Sequence, residues 1–263
     1  MGEVMAEDWH ELERRIVDWL REYANNNQIT SLVVGVSGGI DSAVTSALCA
    51  KTGLNTIVLS MPIHQEKSQS NLADMQIEWL KSKWDNVESH LIDLSRTYDT
   101  YSQYDLSKQI LSDLSLANTR ARIRMTTLYA IAGSNNGIVV GTGNKVEDFG
   151  VGFFTKYGDG GVDISPIADL YKSEVYSLAE SLGVIPEIQD ASPTDGLWDD
   201  GRTDEDQIGA TYEELEWVMK EISKPSNAKL TKRQSEVMEK YLKLNLMNSH
   251  KMHPIPIFKN TKR

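Results

Sequence analysis

Paired sulfur, long apolar runs and positive charge are all scarce in this sequence. Its one cysteine, Cys49, leaves no partner for a disulfide within the chain. Cys49 follows Leu48 in an apolar stretch, where a buried small hydrophobe is the expected role. No apolar run approaches the roughly 18 residues a membrane-spanning helix needs. The opening MGEVMAEDWHELERR is too acidic and polar for a secretory signal. A cytoplasmic protein without a membrane partner is therefore expected. The 27 lysines and arginines are outnumbered by 38 acidic residues, for a net charge of −11. This argues against nucleic acid as a main partner, because phosphate backbones are held by a basic face. What is present is 263 residues, 40% of them apolar. That is enough for the core of one large α/β domain or of a domain with an appendage.

Two familiar nucleotide fingerprints are also missing, and what stands in their place is informative. Gly35, Val36, Ser37, Gly38, Gly39, Ile40, Asp41 and Ser42 spell GVSGGIDS between the apolar run 31–34 and an Ala, Leu and Val pattern from Ala43 to Lys51. A β-branched run, a Gly-Gly turn and a helical pattern read as strand, loop and helix. Such a junction binds anions, because glycines admit close approach of the backbone and the first amides of the helix are unpaired donors. The loop lacks the Gly-Lys-Ser/Thr ending of a Walker A motif and does not fit G-x-G-x-x-G. Hydroxyls of Ser37 and Ser42 take over as donors. Asp41 places a carboxylate where phosphate would be welcome, and two anions in contact repel unless a cation separates them. A divalent metal, Mg²⁺, is implied. SGG-x-DS after a strand resembles the pyrophosphate loop of the ATP pyrophosphatases, which cut ATP between its α and β phosphates. A lone cysteine weighs against the sulfur-transferring members of that group.

Along the chain, Trp9, Leu12, Ile16, Trp19 and Leu20 predict an amphipathic helix over Glu7–Ala24, packed on the domain or on a partner subunit. Strand and helix then alternate: a second strand over Thr56–Met61, a helix over Ser68–Lys83, a third strand over Val87–Leu94, a helix over Leu114–Ala132 and a fourth strand over Gly137–Gly141. Alternation predicts a parallel sheet with helices on its faces. His64 lies in the loop after the second strand with no carboxylate partner in sequence view, and reads as a bystander. Arg120 and Arg124 share a helix face, whereas Arg122 points about 200° away from Arg120. A second charged, glycine-rich stretch starts at the end of the fourth strand, GTGNKVEDFGVGFFTKYGDGGVDISPIADLYKSEV. Glu147 in it can reach the cation that Asp41 needs. Two helices follow, over Thr211–Ile222 and Thr231–Leu246, and then a tail read as irregular.

GVSGGIDS, NTRARIRM, the long Gly141–Val175 stretch and HKMHPIP together resemble NAD synthetase, in its ammonia-dependent form without a fused glutaminase domain. The resemblance runs from about Ser31 to Pro256 and implies a Rossmann-like three-layer α/β/α fold, with a central parallel sheet and extra C-terminal helices in a single domain. It implies amidation of deamido-NAD to NAD with ATP, Mg²⁺ and ammonia through an acyl adenylate, releasing AMP and pyrophosphate, in a homodimer. Residue by residue, it implies that Gly35–Ser42, Thr142, Lys172 and Thr194 contact ATP and that Asp41 and Glu147 ligate the metal. Arg122, Lys156, Asp163, His250 and Lys251 would hold deamido-NAD. Asp159, the carboxylate that would aid ammonia, and Lys172 would make up the catalytic set. One residue more than in many stand-alone members separates Glu147 from GFFTKYGDGG, and GTGNK looks closer to the glutamine-dependent ones, so a separate glutaminase partner stays open. The acidic stretch Asp195–Asp206 is a candidate for part of a flap or a solvated connector. Two other readings remain, another pyrophosphatase such as a GMP-synthetase-like or tRNA-modifying enzyme, and a nucleotide sensor without turnover.

Overall fold

The computed structural model describes residues 8–65, 67–105, 111–194, 203–226 and 229–260. Helix α1 (Trp9–Asn26) starts at Asp8, whose carboxylate accepts the amides of His10 and Glu11. Strand β1 (Ser31–Val36) and helix α2 (Ile40–Lys51) follow, then β2 (Asn55–Ser60), α3 (Lys67–Lys83), β3 (Val87–Leu91), the short α4 (Ser95–Asp99), α5 (Asp113–Ser134) and β4 (Gly137–Val139). The four strands form one parallel sheet in the order β3-β2-β1-β4. Beyond β4 the sheet is extended by a parallel bridge between Val140 and Ile164.

Side-chain alternation along β1 divides the core into two layers. Leu32, Val34 and Val36 face α1, α2, α3 and the later α6 (Lys172–Leu182), and Cys49 is fully enclosed there. Burial pushes the Cys49 thiol well above its ordinary pKa, so it acts as packing and not as a nucleophile. Val33 turns the other way and packs with Ile57, Leu59, Val139, Tyr98 and Ala132, under α4 and α5. Helix, sheet and helix layers are thus the fold the alternation predicts. α1 belongs to the domain itself: Ile16, Val17 and Leu20 are buried against α2, and Glu13 pairs with Lys51.

A third apolar cluster forms around the C-terminal helices α8 (Asp204–Ile208), α9 (Tyr212–Ser223) and α10 (Lys232–Met252), which pack against a π-helical turn over Lys145–Val151. A short helix α7 (Pro186–Gln189) precedes them. α10 runs to Met252, six residues past the predicted end, so His250 and Lys251 stand on its last turn and not in an irregular tail. Local pattern stops at Leu246 because the apolar side fades; the extension is held by side chains that cap the π-helical turn, described below.

The chain leaves β1 toward β2 on one side and leaves β4 toward Ile164 on the other. Neighbouring parallel strands with connections running in opposite directions open a crevice at their carboxyl ends, the usual ligand position in such sheets. Both candidate stretches from the sequence begin there.

Candidate active site

The loop after β1 is held by its own hydroxyls and by a glutamine from α3. Ser37 Oγ accepts the amide of Gly39 at 3.2 Å, and Ser42 Oγ accepts that of Ser37 at 3.3 Å. Gln76, fully buried, accepts the amide of Gly38 at 3.2 Å and the Ser42 hydroxyl at 3.1 Å, while its own amide donates to Ser46 at 3.0 Å. Gly39 is the N-cap of α2 and has no side chain to accept the first helical amides, which leaves the positive end of the helix open to an anion. Ser37 and Ser42 therefore also set the loop's shape.

Gly38 has φ +82°, and a Cβ there would stand 2.6 Å from the Cβ of Leu72 and 2.8 Å from the backbone nitrogen of Ala73. Neither neighbour can yield, since both belong to the packed helix α3. Gly38→Ala is expected to push α3 off the loop and raise the KM for ATP at least about tenfold, with a strain cost of about 1–3 kcal/mol; a thermal melt and an ATP titration check it. An unchanged KM would show that the loop does not bind nucleotide.

Asp41, Glu147 and Lys172 meet across more than a hundred residues of sequence. Asp41 comes from the first turn of α2, Glu147 from the π-helical turn and Lys172 from the first position of α6. The Lys172 ammonium donates to Asp41 Oδ2 at 2.6 Å and to Glu147 Oε1 at 2.9 Å. Asn144, N-cap of the π-helical turn, accepts the amides of Val146 and Glu147 and donates from its side-chain nitrogen to Asp41 Oδ1 at 3.2 Å. The Tyr212 hydroxyl donates to Glu147 Oε1 at 2.6 Å and lies 3.3 Å from Asp204 Oδ2, and the Lys172 nitrogen stands 4.8 Å from the centre of its ring.

Lys172 is 2% exposed. Burial alone would lower its pKa, but the two carboxylates outweigh burial and hold it well above the usual lysine value. Burial likewise opposes ionisation of Glu147, yet Lys172 and the Tyr212 hydroxyl outweigh it and hold its pKa below the ordinary one. Asp41, where burial prevails and Glu147 adds repulsion, is pushed up. Burial and Glu147 keep the Tyr212 phenol protonated and hence a donor.

Two carboxylates converging on one cation are a hard oxygen donor set, so Asp41 and Glu147 fit a divalent ion. Among the described residues no group of three or more His, Cys, Asp or Glu gathers that could hold a metal. The chain thus offers two ligands, and phosphate and water would supply the rest.

The other candidate residues gather between α5, the loop 152–163 and the end of α10. Arg122 donates to the Lys156 carbonyl at 3.3 Å, and Lys156 donates to the His250 carbonyl at 2.9 Å. Lys251 donates to the carbonyls of Gly152 and, at 2.7 Å, Phe154. Asn245 and Asn248 donate to the carbonyls of Gly150 and Val151, both at 2.8 Å. Asp163 accepts the Tyr129 hydroxyl at 3.0 Å and the Val139 amide at 2.8 Å. Asp159 Oδ1 accepts the Thr155 amide at 3.0 Å. Thr142 lies just past Gly141, whose amide donates to Ile164. Thr194 is exposed at the edge of the described chain, and residues 195–202 of the acidic stretch lie outside it; in its described part Asp204 is buried and Asp206 is exposed.

Asp148 links the two groups. It feels the charges of Glu147 and Asp41 on one side and of Asp159 and Lys251 on the other, and burial together with these acids raises its pKa well above the carboxylate range. A Cβ on Gly143 would meet the Asp148 carboxylate, so any larger residue there would have to displace that side chain. Tyr212, Gln76 and Asn144 were given no role from sequence. Tyr212 reads there only as one of α9's apolar positions, and Gln76 as one polar residue of a helix. Asn144 alone carries a local signal, an N-cap residue two positions before an apolar one. His64 finds a partner that sequence does not show, Asp99 at 2.8 Å, on an exposed loop. Arg124 donates to the Met61 carbonyl and Arg120 lies over the Tyr98 ring, away from Arg122's partner, as the helical arithmetic predicts.

A glycine and serine turn before an open helix end, beside two carboxylates sharing a cation at a sheet's switch point, defines an α/β enzyme fold that handles nucleotide phosphates. The family model for NAD synthase matches residues 12–255, and the chain belongs to that family. It is 40% identical over 248 residues to an NH(3)-dependent NAD(+) synthetase of Alkaliphilus metalliredigens, covering 92% of this chain and 96% of that one. Among solved structures, NMN synthetase from Francisella tularensis superposes with a TM-score of 0.84 at 32% identity, over 97% of this chain and 100% of that one. An NH3-dependent NAD synthetase from Campylobacter jejuni superposes with a TM-score of 0.76 at 27% identity, over 97% and 100%.

Proposed function

We propose that the chain amidates deamido-NAD to NAD with ATP and ammonia, as an NH3-dependent NAD synthetase. The observation that carries this reading is the convergence of Asp41, Glu147 and Lys172 beside the loop after β1, in a chain 40% identical to such an enzyme over 248 residues. The pyridine carboxylate of the substrate attacks the α-phosphorus of ATP, and the bond to pyrophosphate breaks. Ammonia then attacks the acyl carbon, loses a proton and expels AMP. The open amides of α2 and the Lys172 ammonium hold the departing phosphates. Mg²⁺ held by Asp41 and Glu147 would neutralise charge on those phosphates. Asp159 and Asp148 supply carboxylates near the amidation step, where a proton must leave the incoming nitrogen. Arg122, Lys156, Asp163, His250 and Lys251 surround the deamido-NAD site, and a homodimer completes it. No described helix is long and apolar enough to cross a membrane.

A second reading concerns the length of the acid. The higher TM-score belongs to an NMN synthetase, which favours the deamido mononucleotide as substrate. Incubation with ATP, Mg²⁺, ammonium and either acid separates the two by kcat/KM. AMP and pyrophosphate are expected as products together with NAD. Release of ADP and phosphate refutes adenylation, and a preference for the mononucleotide replaces the first reading with the second.

A further inference from the structure

We propose that Lys172 is a resident cation that keeps the Asp41 and Glu147 pair closed to a bare divalent ion, so that the metal enters only together with the nucleotide. The inference rests on the metal seat assigned above. It starts from where Lys172 is placed. It occupies the first position of α6, at the positive end of the helix, and its side chain is 3% exposed. Both the helix dipole and the loss of water disfavour an ammonium there. It stays because two carboxylates and the Tyr212 ring enclose it.

Lys172 occupies the point on which the two carboxylates converge. Asp41 Oδ2 and Glu147 Oε1 are each within 3 Å of the one nitrogen, which leaves no room for a second cation between them. Metal and ammonium therefore compete for one seat. Neither carboxylate can turn away easily, since Asn144 holds Asp41 through its other oxygen and Tyr212 holds Glu147.

A bare ion would have to displace Lys172 from the two carboxylates that hold it at 2.6 and 2.9 Å, and it brings no phosphate to receive the ammonium. A metal arriving on ATP brings that anion with it. The α2 amides seat the phosphates beside Asp41, and the Lys172 ammonium moves from carboxylate to phosphate oxygen as the metal takes its place. The same exchange explains how a lysine expected to touch ATP can sit on the metal ligands beforehand. Charge is conserved in the exchange, so the buried pair is never left without a cation.

The test uses Mn²⁺ alone, followed by its electron paramagnetic resonance signal, on the full chain without nucleotide. The wild type is expected to bind it weakly, and Lys172→Met at least about tenfold more tightly. Equal affinity in the two proteins overturns the inference, and so does failure of both to bind. Lys172→Met can lose its fold when the buried cation is removed, so the melting temperature of the wild type gives a second readout. Mn²⁺ alone should leave it unchanged; a rise that Asp41→Asn abolishes would overturn the proposal. NAD formation by the wild type, measured separately, tests the activity itself, so the two readings fail independently.

Discussion

Asp41→Asn is expected to lower kcat by about 10³-fold or more while the protein stays folded. Asparagine keeps the size of the side chain and its carbonyl oxygen, so the bond from Asn144 has an acceptor still. Lys172 keeps Glu147 at 2.9 Å, so no buried charge is stranded; stranding one would cost about 3–5 kcal/mol. On the proposed function, one of the two anionic groups that would hold a divalent ion beside the phosphates would be lost, a charge-stabilising contact of the kind worth about 10²–10³ in rate. Loss of the metal with it accounts for the rest. Steady-state NAD formation beside a thermal melt reads both parts. Undiminished activity would show that the metal seat is wrongly placed.

The second large effect is expected at Asp159, and it should divide the reaction. Its carboxylate lies among the residues that close the loop 152–163, in electrostatic reach of Asp148 and Lys251 and apart from the lysine-bridged pair. Asp159→Asn leaves an oxygen to accept the Thr155 amide, so the turn should keep its shape. It cannot take the proton that leaves the nitrogen once ammonia has attacked the acyl carbon, and general-base contributions run to about 10²–10⁴. Amidation should therefore slow by about that factor, while formation of the adenylate, followed by pyrophosphate exchange into ATP, changes little. Equal losses in the two half-reactions would assign Asp159 to structure or to substrate binding instead.

Much of the fold is legible in the sequence because its signals are local. The β1 run, the SGG turn and the Ala and Leu pattern of α2 each declare their own geometry within a few residues. The 100° step along α5 separates Arg122 from Arg120 and Arg124 without any structure. Asp41 and Glu147 could be paired by an electrostatic argument alone, since an acid in an anion site demands a cation and a second acid to hold it.

The rest depends on contacts between distant segments, which leave no periodic trace. Tyr212 lies 65 residues from Glu147, and nothing in α9's apolar side shows that its hydroxyl is needed elsewhere. His64 looks isolated because Asp99 lies 35 residues on. α10 continues six residues past Leu246 because its last turns are stabilised by loop carbonyls and not by an apolar stripe. The bridge from Lys172 to Asp41 and Glu147 leaves no local trace for the same reason. Each of the three residues makes sense alone, and only their meeting in space shows one ammonium shared by two carboxylates.

The bonds from Asn245, Asn248 and Lys251 to the carbonyls of Gly150, Val151, Gly152 and Phe154 bear on how the protein is made. Synthesis runs from one end, so β1 to β4 can pair on the ribosome well before those three donors have left the exit tunnel. A nascent chain stalled at that stage would own a finished sheet and an unfinished catalytic loop. Ligand binding should then switch on late and abruptly during translation, when the final turns of α10 dock.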